Sequence, residues 1–316
     1  STAATHSAGA AVTNVTNYNG WGQAASSTQF TLNPGLWVLD NYGTKLIALI
    51  YNNECFEWDA SAPNAVANRA TASRHVLVST PDRHLVFFGT ETTIGDKTTQ
   101  DDMFIRFSNQ EDINTYTITA ENSAGSQRIA AGSKIMSAVK GRDAIYIWTD
   151  TSLFLMQFVG QPFTFAFQQA GTNCGLIGKN AAVEVDGAAY WMSENGFFYY
   201  NGQLKSMVCL VEDFVYDSLN SVPRDLINCG LNNLFGEINW FYCSANSTTI
   251  DRVVTYNYID SSPKRPIWTT GTLNRSAWQD SAVYEKPHAT YYTPTDNNSF
   301  DVIGNTEGVT IYLEHE

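Results

Sequence analysis

The sequence predicts an all-β protein, an irregular β-propeller-like stack of about six antiparallel sheet units with one short helix. Three observations support this prediction. A strand–turn–strand pattern recurs along the chain. Aromatic residues reach 13% while charged residues are only 16%, which is typical of β-rich surfaces. Two of the turns, at Thr149 and Ser193, are separated by about the length of one four-stranded propeller blade, roughly 40–50 residues.

The chain begins with a polar segment. Residues 1–30 are mostly Ala, Ser, Thr, Asn and Gly, a composition that cannot form a core by itself. We expect an extended N-terminal arm over residues 1–30, either loose or ordered on a neighbouring subunit. A single β-propeller-like domain is expected over residues 31–316.

Four short hairpins are predicted next. Each has an apolar strand, four or five turn residues and a second apolar strand. They are Leu49–Tyr51 with Phe56–Trp58, Tyr146–Trp148 with Leu153–Leu155, Tyr190–Met192 with Phe197–Tyr200 and, more weakly, Asp301–Ile303 with Val309–Tyr312. In the third hairpin, Asn195 and Gly196 are expected to supply the positive φ angles of a tight turn. Because one such sheet cannot bury its own face, the units must stack on one another.

Two further hairpins have longer loops. Residues 85–88 and 103–107 flank a polar loop over Gly89–Asp102, and residues 238–243 and 253–258 flank a loop over 244–252. Residues 238–242 alternate between two sets of side chains, which predicts a strand with one buried face. Leading strands over 135–139 and 181–185 give their units at least three strands each.

One segment departs from the β pattern. Val208, Val211, Val215 and Leu219 recur near helical spacing, and Pro223 follows. We therefore predict one short helix over Val208–Leu219, covering a sheet edge between two blades.

Charge and cysteine usage exclude several classes of protein. The chain has 18 Lys and Arg against 31 Asp and Glu, and a net charge of −13 argues against binding nucleic acid by neutralising phosphates. Solubility and a surface that repels passing DNA both remain open as reasons for the charge. The five cysteines lack zinc or redox spacing, and no apolar run approaches 18 residues. We expect reduced thiols, assembly in a cytoplasm and no membrane insertion.

No catalytic motif is present. The sequence lacks HExxH, GxSxG, P-loop and GxGxxG patterns, and its five histidines show no spacing for a metal site. We therefore expect no enzyme activity, no catalytic, cofactor-binding or metal-binding residue, and no cofactor; a triad assembled from distant residues stays open. An acidic group around the second unit could serve glycoside cleavage, although Lys97 and Arg106 favour a solvated, ion-paired loop. Its members are Glu91, Asp101, Asp102, Glu111 and Asp112.

Adjacent aromatic pairs form a second open question. They could stack on sugars, or one member could pack in the core while the other faces a neighbouring blade or subunit. Packing is the favoured interpretation. The pairs are Phe87-Phe88, Phe197-Phe198, Tyr199-Tyr200 and Tyr291-Tyr292.

An ordered series of phrases resembles the tail nozzle, or tail stabilisation, family of short-tailed (podovirus-type) bacteriophages. The strongest phrases are Gly160–Phe165, Gly171–Ile177 and Tyr190–Phe198, and others are Leu36–Gly43, Arg106–Ser108, Cys209–Asp213 and Tyr256–Tyr258. The phrases span most of residues 36–316. The chain starts without Met and ends inside an expected strand, which we expect of a processed or partial form of a larger protein.

The resemblance implies a structural virion protein without catalysis, forming part of the tail nozzle or channel wall that retains and releases DNA. Its implied partners are other copies of the chain in a hexameric ring, the portal or adaptor and other tail proteins, and phage DNA that passes without specific binding. The loops over Gly89–Asp102 and Pro287–Asn298 are expected to make subunit contacts. The alternative is a β-propeller that binds or cleaves glycans.

Overall fold

A computed structural model describes residues 37–59, 66–68, 70, 72–80, 82–262, 264–280, 287–294 and 309–315. In these residues, 23 strands form five four-stranded sheets and one three-stranded sheet, with one α-helix and two 3-10 turns. The predicted all-β class of about six antiparallel units with one short helix is confirmed. The predicted arm over residues 1–30 and the strand Asp301–Ile303 lie outside the described residues.

All six sheets are simple antiparallel meanders that follow chain order. Sheet 1 contains β1 (Trp37–Tyr42), β2 (Lys45–Ile50), β3 (Cys55–Asp59) and β4 (Val66–Asn68). Sheet 2 contains β5 (His75–Val78), β6 (Leu85–Phe88), β7 (Phe104–Phe107) and β8 (Gly125–Arg128). Sheet 3 contains β9 (Ile135–Lys140), β10 (Ile145–Thr149), β11 (Ser152–Gly160) and β12 (Thr164–Thr172).

The second half of the chain continues the pattern. Sheet 4 contains β13 (Ala182–Val185), β14 (Ala188–Ser193), β15 (Gly196–Tyr200) and β16 (Leu204–Ser206). Sheet 5 contains β17 (Asn228–Asn232), β18 (Glu237–Tyr242), β19 (Arg252–Asn257) and β20 (Trp268–Gly271). Sheet 6 contains β21 (Ala277–Gln279), β22 (His288–Pro294) and β23 (Val309–His315). The helix α1 (Glu212–Asp217) lies between sheets 4 and 5 in the chain.

The first strands of successive sheets contact one another, in the order β1, β5, β9, β13, β17 and β21. Each sheet then continues outward from its first strand to its last. This radial arrangement is that of β-propeller blades around an axis lined by first strands. It leaves the outer strands as sheet edges, and four of these strands have only three or four residues, whereas β12 has nine and β23 has seven.

Apolar clusters fill the spaces between successive sheets, so interior sheets are buried on both faces. In β18, Trp240 belongs to the cluster shared with sheet 4, whereas Phe241 belongs to the cluster with Trp278 of sheet 6. The prediction that this strand has a single buried face is therefore wrong. A strand in an interior blade packs against a neighbour on each side, and period-two alternation does not distinguish that case.

The aromatic pair Phe87-Phe88 follows the same rule. Phe87 packs in the cluster between sheets 1 and 2, and Phe88 packs in the cluster between sheets 2 and 3. Both rings are buried. Packing between blades, the favoured interpretation of this pair, is confirmed.

The first three short hairpins form where they were predicted, with one difference in the turn of the third, whereas the fourth lies partly outside the described residues. Ser193 pairs with Gly196 across the β14–β15 turn, and Gly196 has a φ of 120°. Asn195 does not have a positive φ. Gly196 alone therefore supplies the left-handed backbone of this turn, because it lacks a Cβ.

The helix is shorter than predicted. It begins after Val211 and ends at Asp217, so Val208 lies outside it and is 61% exposed. The carbonyl of Val208 accepts a hydrogen bond of 2.9 Å from the Trp268 indole, which holds this residue in a non-helical segment. Val215 is the residue of the helix that is fully buried.

The segment Pro287–Asn298 was predicted to be a loop, which is wrong over the part that the structure describes. Residues 288–294 form β22, which pairs with β21 and β23. Ala289 is 3% exposed and opposes Trp278 in the register. The adjacent Tyr291-Tyr292 pair and the Thr, Pro and Asn residues around it did not show the alternation that identifies a strand.

The aromatic packing between blades predicts a large difference between two tryptophans. Trp191 is fully buried, lies 5.4 Å from Trp148 between ring centroids and donates a 2.7 Å hydrogen bond to the Cys174 carbonyl. Replacing Trp191 with Ala is expected to lower the free energy of unfolding by about 3–5 kcal/mol, because it leaves a cavity. Equilibrium denaturation in urea measures the change.

The matched control is the same substitution at Trp37, which is 41% exposed. Trp37→Ala is expected to cost less than about 1 kcal/mol. Equal losses for the two variants would contradict the assignment of Trp191 to the interior of the blade stack.

Candidate functional site

The acidic residues considered for glycoside cleavage are each engaged in ion pairs or hydrogen bonds. Glu91 is fully buried and accepts a 3.4 Å hydrogen bond from Arg106 and a 2.8 Å hydrogen bond from the Thr90 hydroxyl. Arg106 also donates to the backbone carbonyl of Glu91 at 2.6 Å. The pairing with Arg106 is confirmed, whereas the expectation of a solvated loop is wrong at Glu91. This pair fixes the start of the loop over Gly89–Asp102 to β7.

The other carboxylates are held by different partners. Asp102 forms a two-pronged pair with Arg74, and Asp101 accepts a 2.6 Å hydrogen bond from Arg128. Although burial opposes the change, the Arg128 hydrogen bond lowers the pKa of Asp101. Further along, Glu111 lies 4.0 Å from Arg83, Asp112 accepts from the Asn114 amide at 2.8 Å, and Lys97 lies in a 3-10 turn. No two of these carboxylates are therefore both free of partners and placed on opposite sides of a common cleft, as glycoside cleavage would require.

A Ser–His–Asp arrangement that the sequence left open does occur. His84 Nδ1 lies 2.8 Å from Asp82 Oδ2, and His84 Nε2 lies 3.1 Å from Ser123 Oγ. Asp82 and His84 come from the β5–β6 turn, whereas Ser123 precedes β8, so no local motif connects them. Burial opposes ionisation of Asp82, but the hydrogen bonds from His84 and Ser79 lower its pKa. The arrangement has the connectivity of a catalytic triad.

Its surroundings differ from those of a nucleophile. Ser123 Oγ accepts a 2.8 Å hydrogen bond from the Gln110 amide and donates one of 3.0 Å to Asn109 Oδ1. The hydrogen-bonding positions of this hydroxyl are therefore already filled. Ser123 is 8% exposed, and His84 is fully buried. The His84 ring is enclosed by aromatic neighbours at centroid distances of 5.1–6.2 Å, namely Phe107, Phe158 and Phe165. This arrangement links the turns of sheet 2 to the long hairpin of sheet 3.

Side chains from non-adjacent blades meet on the axial side of the stack. Asp40 of β1 accepts a 2.6 Å hydrogen bond from the Lys140 ammonium of β9, and a second of 2.6 Å from the Val78 amide of β5. At the other end of the first strands, Lys179 lies 3.2 Å from the centre of the Tyr51 ring and 3.5 Å from Asp225. These contacts tie sheets 1, 2 and 3 to one another and sheet 1 to the connections around sheet 4.

Lys179 is an unusual cation because it is 5% exposed. Burial lowers the pKa of its ammonium group, and the nearby Asp225 opposes that effect. The cation–π contact with the Tyr51 ring face compensates for part of the hydration that the Lys179 ammonium loses on burial. Tyr51, Lys179 and the Arg74–Asp102 pair therefore occupy the mouth of the axis on this side.

A tyrosine-lined cleft opens between sheets 4 and 5. It has a volume of about 590 Å³ and is lined by Tyr190, Tyr199, Tyr256, Tyr258 and Lys205, among others. Tyr190 and Tyr199 are paired across β14 and β15 and stack with ring centroids 5.7 Å apart. The sequence pointed to Tyr199 through its aromatic pair, but it gave no sign that three distant tyrosines would join it.

Large apolar side chains are exposed at the tip of the β11–β12 hairpin. Its strands are nine residues long, and β11 extends beyond its pairing with β10, which ends at Met156. The first five residues of β11 are buried, as are Thr164 and Phe165 at the start of β12. Phe158 is 45% exposed, Val159 is 54% exposed and Phe163 is 77% exposed. Exposed apolar groups that lie together mark interaction sites.

The described residues offer little for metal binding, membrane insertion or thiol chemistry. Where the structure describes the chain, no group of three His, Cys, Asp or Glu side chains could hold a metal ion, and no helix is long and apolar enough to cross a membrane. None of the five cysteines forms a disulfide. Burial raises the pKa of Cys174 to about 11 and those of Cys209 and Cys243 to about 12, which makes these thiols poor nucleophiles.

No protein-family profile and no curated protein matches the chain. Similar solved structures include the dihydro-heme d1 dehydrogenase NirN in complex with DHE, at 10% identity and a TM-score of 0.48, covering 82% of this chain and 52% of that one. BamB from Moraxella catarrhalis is similar at 12% identity and a TM-score of 0.40, covering 81% and 79%. The chain spans about half the length of the NirN structure. Likeness at this level carries no argument about function.

The two acidic environments predict different costs of neutralisation. Glu91→Gln leaves the guanidinium of Arg106, which is 6% exposed, without its charge partner. We expect this variant to lose about 3–5 kcal/mol of unfolding free energy. Urea denaturation measures the loss.

Glu111→Gln is the control, because Glu111 and Arg83 are 65% and 42% exposed and lie 4.0 Å apart. It is expected to change stability by less than about 0.5 kcal/mol. A Glu91→Gln variant as stable as the Glu111→Gln variant would show that the buried pair does not stabilise the loop.

Proposed function

We propose that this chain is a structural subunit of a bacteriophage tail, forming part of the nozzle or channel wall that retains and releases DNA, without catalysis. The observation that carries the proposal is the projecting β11–β12 hairpin with Phe158, Val159 and Phe163 exposed at its tip. The tip contains Gly160–Phe165, one of the phrases on which the resemblance to tail nozzle proteins rests. Its proposed role is to contact the next copy of the chain in a ring.

The energetics of the tip favour such a contact. Fully burying a Phe or Val side chain is worth about 1.5–3 kcal/mol, so the tip can contribute several kcal/mol to an interface. One side of the tip is held in place, since Phe165 is buried and both Phe158 and Phe165 pack on the buried ring of His84. A tip that is already held loses less conformational entropy on docking.

The closed axis bears on where DNA would pass. The Asp40–Lys140 pair and the Tyr51–Lys179 contact fill the axial side of the blade stack. A DNA duplex does not fit through a space crossed by these contacts. In the proposed ring the lumen lies between subunits, and each blade stack serves as one segment of the wall.

The net charge supports a wall beside DNA. A surface with a net charge of −13 repels phosphates within a Debye length, about 8 Å at physiological salt. Repulsion at that range keeps DNA from adhering during ejection. The proposed hexamer, with portal, adaptor and other tail proteins as partners, belongs to the virion tail after assembly in the host cytoplasm.

Glycan cleavage is less well supported than the structural role. The carboxylates considered for it are held by Arg74, Arg106 and Arg128, or by backbone amides. Ser123 offers a direct check of the structural role, because its hydroxyl is enclosed. Labelling of Ser123 in the folded protein by a fluorophosphonate would contradict a role without catalysis.

Replacing Phe163 with Ser is expected to weaken ring assembly. Loss of one buried Phe from each interface raises the dissociation constant of that contact about 10–100-fold, because 1.4 kcal/mol corresponds to a factor of ten. Sedimentation velocity across a concentration series measures the change. We expect a hexamer for the unmodified chain and dissociation of the Phe163→Ser variant at higher concentration.

Phe214→Ser is the matched control, because Phe214 is 52% exposed and lies on α1, away from the hairpin. Its ring is expected to dissociate at the concentration seen for the unmodified chain. An unmodified chain that stays monomeric at all concentrations and is missing from purified virions would rule out the proposal.

A further inference from the structure

The cleft between sheets 4 and 5 begins where the apolar packing between these sheets ends. Deeper in the interface, Phe197 lies 5.0 Å from Trp240 and 4.8 Å from Trp268 between ring centroids. Toward the opening, tyrosines replace these residues. Tyr256 lies 4.7 Å from Trp268 and 6.2 Å from Tyr190, so the cleft wall continues the core as an aromatic surface with polar tips.

The polar groups of the cleft are partly free to bind a ligand. Tyr258 donates a 3.1 Å hydrogen bond to Asn233. Among the described residues, neither the Tyr190 nor the Tyr199 hydroxyl has a hydrogen-bond partner. Burial, reinforced by the neighbouring tyrosines, raises the pKa of Tyr190 to about 12, so its hydroxyl stays protonated and able to donate.

Lys205 is the charged residue of the cleft lining. Its ammonium lies 5.7 Å from the centre of the Tyr199 ring, and the side chain is exposed. In the described part of the chain it forms no ion pair, and no Asp or Glu lines the cleft. Asp186 lies near enough to act on Tyr190 and Tyr258, but it is not among the lining residues. The single unpaired cation of the lining favours a ligand whose negative group lies beside Lys205.

We propose that this cleft binds a short acidic oligosaccharide, with sugar rings against the Tyr190, Tyr199 and Tyr256 surface and a sugar carboxylate beside Lys205. Binding in this cleft does not require assembly into a ring, and it involves no cleavage of the sugar.

Carbohydrate fits the chemistry of this cleft better than a wholly apolar ligand. A sugar ring has a face of C–H groups, which matches the electron-rich face of an aromatic ring, and a rim of hydroxyls. The hydroxyls of Tyr190, Tyr199, Ser206 and Ser262 can pair with that rim, whereas an apolar ligand would leave them without hydrogen bonds. A volume of about 590 Å³ lies within the usual range of ligand sites.

The test measures binding of carboxylated tetrasaccharides to the full chain by titration calorimetry. Tetragalacturonate, tetramannuronate and the hyaluronan tetrasaccharide are the probes, and maltotetraose is the uncharged comparison. We expect at least one carboxylated probe to bind more than fivefold tighter than maltotetraose. Tyr199→Ala is expected to weaken that binding at least tenfold, while Tyr199→Phe, which keeps the ring, weakens it less.

Charge is tested separately. Lys205→Gln is expected to reduce the affinity for the carboxylated probe to that for maltotetraose. Lys97→Gln removes the same charge from the 3-10 turn in the loop between β6 and β7, outside the cleft, and is expected to leave binding unchanged. A thermal unfolding midpoint equal to that of the unmodified chain shows that the fold of each variant is intact.

Three results would overturn the proposal. One is that none of the three carboxylated probes binds at millimolar concentration. Another is binding that Tyr199→Ala leaves unchanged. The third is binding of a synthetic peptide spanning residues 157–166, but of no carbohydrate, which would identify the cleft as the receptor for the hairpin of another copy.

Discussion

The structure depends on the requirement that each interior sheet is covered on both faces. A run of aromatic residues meets this requirement in the middle of the chain, where Trp148 packs on Trp191, and Phe197 packs on Trp240. The buried indoles also need hydrogen-bond acceptors. Trp191 and Trp240 donate to the carbonyls of Cys174 and Ala181, in the connection from sheet 3 to sheet 4. The buried indoles therefore hold the connection between sheets 3 and 4 in place, and the connection in turn orients the indoles, which makes this part of the stack rigid.

The features with functional interest lie where that packing stops. At the opening between sheets 4 and 5, tyrosines continue the aromatic core into a cleft, and the hydroxyls of Tyr190 and Tyr199 are free among the described residues. At the end of sheet 3, the β11–β12 hairpin extends beyond its neighbours and exposes Phe163. On the axis, ion pairs such as Asp40–Lys140 replace apolar contacts. The stack therefore presents an exposed apolar hairpin tip, a tyrosine-lined cleft and an ion-paired axial side as separate surfaces.

Local features were predictable from the sequence, and features that join distant residues were not. The β14–β15 hairpin follows from adjacent apolar strands and Gly196, so its position could be predicted. Double-sided burial of β18 could not, because the neighbour on each side is set by the order of blades. The Ser123–His84–Asp82 arrangement and the tyrosine cleft each assemble from separate elements. A single sequence contains no signal that links such positions, although Tyr199 was singled out by its aromatic pair.

The most direct test of the account is the arrangement of this chain in an assembled particle, determined by electron cryomicroscopy of purified virions. The account predicts six copies around the tail axis, with β11–β12 hairpins at the contacts between copies. It also predicts that DNA passes through a lumen between subunits, while the axis of each blade stack stays closed. Virions without density for the chain, or a DNA path along the axis of a single blade stack, would contradict it.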